Sequence, residues 1–146
     1  MAVLEAIRKE SPSSKWFGYA LQSLAVLAIH DGVCPSCEIA HKMESQATML
    51  RRIMAQLAKY NLVVAKEGRD GGYMLARAAD RITFADVYEA LQLSEPLSQA
   101  LLDSTSDGIF GKEMQCYFTK FAGEWQKRVV FELQQRTIAD MIEGYK

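Results

Sequence analysis

Proline is scarce, with three in 146 residues, and no stretch of the chain repeats. With 49% hydrophobic and 24% charged residues, that excludes a disordered or collagen-like chain and leaves an ordinary globular protein. Long apolar runs are lacking too: the longest, Leu24 to Ile29, is far short of the ~20 residues that cross a bilayer. The start MAVLEAIRKE carries two acids among ten residues and is only briefly apolar, so it does not read as a signal peptide, and a cytoplasmic protein with no membrane partner is expected. Cysteine is sparse and odd in number, three in all, which rules out a pure disulfide framework. In a reducing compartment such thiols are buried, reactive or metal-bound. The length allows one domain with a real core plus an appendage, and not two independent domains.

Net charge is nearly absent, at −1, but it is unevenly spread. Residues 36 to 77 hold seven bases (Lys42, Arg51, Arg52, Lys59, Lys66, Arg69, Arg77) against four acids, whereas residues 83 to 146 hold ten acids against six bases. A mildly basic middle is compatible with phosphate contact but does not by itself identify a nucleic-acid partner.

The hydrophobic pattern supplies more. Apolar residues at 17, 20, 21, 24, 27 and 28 share one helix face, and Asp31-Gly32 ends that helix. Cys34-Pro35-Ser36-Cys37 then opens a short second helix, with proline suited to its first position and Ile39, Ala40 and Met43 on its apolar side. A third helix, from about Gln46 to Lys59, puts Leu50, Ile53, Met54 and Leu57 on one face and Thr48, Arg51, Arg52, Ala55 and Lys59 on the other. A short helix, a tight turn and a longer helix with a basic face make a helix-turn-helix. After Asn61 the period becomes that of strands: Leu62 to Ala65 and Tyr73 to Ala76 flank Gly68-Arg69-Asp70-Gly71-Gly72, a hairpin that would form a wing.

Thr83 with Asp86 predicts a capped fourth helix, and Ser94-Glu95-Pro96 can start a brief one. Asp103 to Lys112 reads as loop. From about Glu113 a long helix is predicted, with Met114, Phe118, Phe121, Trp125 and Val129 in one stripe that Leu133, Ile138 and Ile142 continue. A stripe that long exceeds what one winged helix needs, so it is expected to pack on a second copy. The fold class is therefore mainly α with a small β-hairpin. It divides into an N-terminal arm at 1–14, a winged helix-turn-helix at 15–91, and a loop with a dimerisation helix at 92–146.

The ordered set Tyr19-Ala20-Leu21, Glu38-Ile39-Ala40, Leu50 to Leu57, Asn61-Leu62-Val63, Gly68 to Tyr73, Leu75-Ala76-Arg77 and Ile82-Thr83 resembles the Rrf2 family of bacterial regulators, which includes IscR, NsrR and CymR. The resemblance spans residues 15 to 91, and Arg136 to Asp140 is similar to the family's ending. It implies a homodimer, crossed by the long C-terminal helix, on a pseudo-palindromic operator, with double-stranded DNA as partner. Many members hold a two-iron iron–sulfur cluster through three cysteines in the loop before the long helix. Here Cys116 falls near the last of these, while residues such as Phe110 and Ser104 stand at the earlier ones. A cluster needs about four ligands, so no cofactor, and no family-type iron–sulfur cluster, is expected.

The site residues expected from this reading are Thr48, Arg51 and Arg52 at base edges, Arg69 in the minor groove, and Lys66 and Lys15 on phosphates. The resemblance aligns the first three with the family's base-contacting positions, where Glu-Gln often stands in place of Arg51-Arg52. Cys34 and Cys37 flank a helix start, where the dipole lowers a thiol pKa; with Cys116 they are the candidate redox sensors. Two alternatives stand beside sensing for the pair: small residues filling a helix start, or three ligands of a metal site with His41, which lacks a fourth. Cys116 on its own reads as a buried small hydrophobe. A thiol oxidoreductase using Cys34 is disfavoured because no βαβ unit surrounds the motif, so no enzyme is expected. The expected function is a sequence-specific DNA-binding regulator, a repressor under thiol redox control by an unidentified effector. The alternative is a winged-helix module regulated by a protein partner.

Overall fold

Leu50, Ile53, Met54 and Leu57, the four large residues on one face of the third helix, are each sealed from solvent, and the rest of the chain is arranged around them. The structure is a computed structural model that describes residues 14–93 and 95–145; the expected arm at 1–14 lies outside them except for Ser14. In chain order the elements are α1 (Ser14–Ile29), α2 (Ser36–Met43), α3 (Ala47–Lys59), β1 (Val63–Lys66), β2 (Gly72–Leu75), a 3-10 turn (Ala79–Arg81), α4 (Phe84–Ala90), α5 (Pro96–Asp103), α6 (Ile109–Gln134) and α7 (Ile138–Ile142). The strands form one antiparallel hairpin with Val63 opposite Leu75 and Lys66 opposite Gly72. Leu24 of α1, Ile39 of α2, Leu62, Ile82 and Leu91 complete a core in which all five are buried. This is the winged helix-turn-helix expected from the periodicity.

Local chemistry sets most boundaries. Thr83 Oγ1 accepts from the Asp86 amide at 3.0 Å while Asp86 Oδ2 accepts from the Thr83 amide at 2.9 Å, the capping box anticipated for α4. Glu95 caps α5 by accepting from the amides of Leu97 and Ser98, with Pro96 at the first helical position.

Two expectations about the C-terminal half are corrected. The loop predicted over 103–112 is only residues 104–108, because α6 starts at Ile109 after Gly108. Gly111 is in the helix's first turn, buried against the backbone of Ser106, where a Cβ would collide; that glycine serves close packing and not a loop. The long helix also stops at Gln134, and Leu133, Ile138 and Ile142 do not form one continuous stripe. Thr137 and Asp140 make a second capping box, with bonds of 3.3 and 2.8 Å, and start α7. Thr137 bridges Thr83, Ile138 donates its amide to Ile82 at 3.0 Å, and the Ile138 side chain is fully buried. The end of the chain is thus sewn back into the winged-helix core, with α7 packed on α1.

Candidate nucleic-acid interface

The recognition pair is built by a turn of three residues. α2 is followed by Glu44, whose left-handed backbone (φ 53°) lets the Ser45 amide reach back to the Ala40 carbonyl at 2.9 Å, so the chain reverses tightly before α3. Burial of Leu50, Ile53, Met54 and Leu57 then turns Thr48, Arg51, Arg52, Ala55 and Lys59 outward, all five exposed. Gln56 Nε2 donates to the Ala90 carbonyl at 2.8 Å and fixes α3 against α4. The two arginines differ in their surroundings. Arg52 stacks over the Trp16 ring of α1, with its guanidinium carbon 5.5 Å from the ring centroid, whereas Arg51 has no hydrogen-bond, ion-pair or aromatic partner among the described residues.

The hairpin stands beside this helix. Gly68 takes a φ of 107°, open to glycine at little cost, and its carbonyl accepts from the Gly71 amide at 3.1 Å, which presents the exposed Arg69 at the tip. Lys66 at the end of β1 and Lys15 at the start of α1 are also exposed. The root of the wing holds a feature not foreseen: the Cys34 amide donates to the Tyr73 carbonyl at 2.8 Å, and the Tyr73 amide returns a bond to the Cys34 carbonyl at 2.9 Å. Gly72 is required there because a Cβ would run into the Cys34 carbonyl. The strand β2 is therefore tied to the residue just ahead of α2, and the wing and the helix-turn-helix share a root.

Residues 13–144 match the sequence model of the Rrf2 family, described as iron-dependent transcriptional regulators. The chain belongs to the Rrf2 family. Over 128 residues it is 25% identical to the transcriptional regulator IscR of Erwinia tasmaniensis, covering 86% of this chain and 75% of that one. Its fold is similar to that of IscR from T. potens, with a TM-score of 0.66 at 24% identity over 95% of this chain and 91% of the other. It is also similar to CymR of B. subtilis, described as a global cysteine regulator, with a TM-score of 0.63 at 20% identity over 92% and 98% of the two chains. As a member of the Rrf2 family the protein is a DNA-binding transcription regulator and not an enzyme.

The family description implies iron, and the donors here do not fit an iron–sulfur cluster in the loop before the long helix. Residues 104–108 of this Rrf2 protein are Ser-Thr-Ser-Asp-Gly, and Cys116 on α6 is the single thiol nearby, where a cluster needs about four ligands. Cys116 is exposed, which corrects its reading as a buried small hydrophobe.

The Cys-Pro-Ser-Cys motif divides in the same way as the arginines. Cys37 is exposed on α2, while Cys34 is 1% exposed. Burial first, and then the Glu38 carboxylate, pushes the Cys34 thiol up to about 11 from 9.0. The expected lowering by the helix start fails at Cys34 because Pro35 is the N-cap and the thiol lies in the core with a carboxylate for a neighbour. Nor are Cys34, Cys37 and His41 the metal-ligand set gathered by the fold. The side chains brought together are His30, Cys34 and Glu38, with Glu38 Oε2 3.7 Å from both Cys34 Sγ and His30 Nδ1. Their spacing, four residues and four again, was the signal in the sequence; it was obscured because residues 30 to 35 are not one helix.

Proposed function

We propose that this regulator acts as a homodimeric repressor on a pseudo-palindromic operator, in the cytoplasm where the DNA is, with residues 15–91 as the DNA-reading unit and 92–146 carrying the dimerising helix α6 and the segment α7 that packs back on α1. The observation that carries it is the outward basic face of α3, rigid because its other face is sealed in the core, set beside a glycine-tipped wing. In this reading Thr48 and Arg51 touch base edges in the major groove and Arg52, held on Trp16, supports them from the rim. Arg69 enters the minor groove, and Lys66 and Lys15 neutralise phosphates.

Dimerisation is supported by α6, on which Gly111 is the single buried residue. Met114, Phe118, Trp125 and Val129 are half-covered, while a neighbouring face leaves Phe110 73% and Tyr117 66% exposed. Aromatics at that exposure are the kind of surface a second copy covers. The reading carries no iron–sulfur cluster of the family type, on the donor set of residues 104–108. Thiol control enters through the exposed Cys37 and Cys116 and not through direct attack on buried Cys34.

The test is selection of bound duplexes from a random pool by purified protein at one stated salt concentration, with and without reductant. A two-fold symmetric motif is expected, recovered more strongly in one redox condition. Equal recovery in both would remove thiol control, and enrichment of nothing would replace DNA with a protein partner.

A further inference from the structure

His30, Cys34 and Glu38 come from three different places: the end of α1, the residue paired with the wing, and the first turn of α2. Each offers one ligand-type atom, nitrogen, sulfur and oxygen, and the three lie within 4.8 Å of one another. Two of the separations are 3.7 Å, from Glu38 Oε2 to Cys34 Sγ and to His30 Nδ1. A tetrahedral zinc ion with bonds of about 2.0–2.3 Å sets its donor atoms about 3.4–3.6 Å apart, so the two 3.7 Å separations need to close by only a few tenths of an ångström and the His30–Cys34 pair, which lies within 4.8 Å, by up to about 1.3 Å.

The surroundings point the same way. His30 Nε2 is 3.2 Å from the Val33 carbonyl. An N–H donated there leaves the Nδ1 lone pair for a metal, which is how metal-bound imidazoles are commonly oriented by their second nitrogen. The cluster lines a cleft of about 590 Å³, and Glu38, 58% exposed, gives an ion a path in from solvent. A thiolate, a carboxylate and a neutral imidazole around a divalent ion also sum to zero charge, which suits a position where the sulfur is buried.

We infer that His30, Cys34 and Glu38 form a site for a borderline divalent cation of the zinc class, with three protein donors and an open fourth position. On binding, the sulfur–metal bond replaces the S–H bond, and the thiol proton now directed at Glu38 leaves for bulk water; nothing is oxidised or reduced. Because the Cys34 backbone is bonded in both directions to Tyr73, the ion would clamp α1, α2 and the wing at their common root. That consequence for DNA rests on the reading of α3 and the wing given above, whereas the site itself does not.

The test uses metal-depleted, reduced, full-length protein titrated with Co²⁺ in the absence of DNA, followed by optical absorption. One equivalent per chain with a thiolate-to-cobalt charge-transfer band, displaced by Zn²⁺, is expected. The band should vanish in Cys34→Ser and persist in Cys37→Ser and Cys116→Ser. Because Cys34 is in the core, His30→Asn and Glu38→Gln provide a second check: both change partly exposed side chains, and each should weaken Co²⁺ binding at least tenfold while leaving the metal-free melting curve in place. Zinc should raise the melting temperature of the wild type and not of Glu38→Gln. Absence of the band, its survival in Cys34→Ser, or its loss in Cys37→Ser would overturn the assignment. A metal site that holds while operator selection fails would leave this inference standing and remove only its effect on DNA.

Discussion

Arg51 and Arg52 are adjacent in the chain but differ in what holds them. Arg51 projects from α3 with no protein partner among the described residues, while Arg52 is anchored on the indole of Trp16. A bidentate arginine–guanine contact is worth about 1–3 kcal/mol of discrimination, so Arg51→Ala should cost that much on the operator and little on scrambled DNA. Arg69→Ala should weaken both DNAs alike and lower the salt dependence by about one counterion. Fluorescence anisotropy at several salt concentrations separates them, and equal losses on both DNAs for Arg51→Ala would reassign it to phosphate. The cysteines differ in an equally measurable way. Because the Cys34 thiol is raised to about 11 in the fold while an unfolded thiol titrates near 9.0, the unfolded chain loses its proton first as pH rises. The contribution is fully present below pH 9 and is lost between 9 and about 11. Chemical unfolding of chelator-treated protein should thus show stability falling over that window, with a shallower fall in Cys34→Ser. At neutral pH an alkylating reagent should modify Cys37 and Cys116 quickly and Cys34 only on unfolding. The exposure that separates these thiols could not be read from a Cys-Pro-Ser-Cys spacing, since it depends on what packs over it.

At the scale of elements, the hairpin and the helix-turn-helix act as one unit because Cys34 and Tyr73 exchange backbone hydrogen bonds. Gly72 permits that approach, so Gly72→Ala should force the strand away from Cys34 and lower stability by roughly 1–3 kcal/mol, in the range of other overpacked sites. DNA affinity should fall with it, although no DNA-facing side chain is altered; a thermal melt together with a binding isotherm makes the comparison, and an unchanged melt would mean the wing root is not strained. Most elements were legible in the sequence because helix periodicity and capping depend on residues a few positions apart. Thr83 with Asp86 marked α4, and Leu50, Ile53, Met54 and Leu57 marked the buried face of α3. The start of α6 was not legible, since Gly108 and Gly111 look alike in sequence and only the crossing of Ser106 separates an N-cap from a packing contact.

For the whole molecule, the exposed aromatics of α6 should govern assembly. A carboxylate in place of Phe110 or Tyr117 is expected to convert a dimer to a monomer in sedimentation velocity. The melting of the chain's own core should change little, because both side chains are exposed in it. Operator affinity should drop roughly a hundredfold or more as the second reading head is lost, the lower end of the gain from linking two binding modules. A variant that stays dimeric would move the interface elsewhere. By itself the sequence determined the order of the elements, the outward basic face of α3, the glycine-tipped wing and the apolar character of α6, because each follows from spacing within a few turns of one chain segment. Only the tertiary structure decided that the chain leaves α6 at Gln134 to bridge Thr137 with Thr83, that Trp16 lies under Arg52, and that His30, Cys34 and Glu38 converge beside the wing. The first two outcomes depend on segments far apart in sequence competing to bury the same apolar surface, and the third on the break in the helix between Ile29 and Ser36, which local spacing alone does not place.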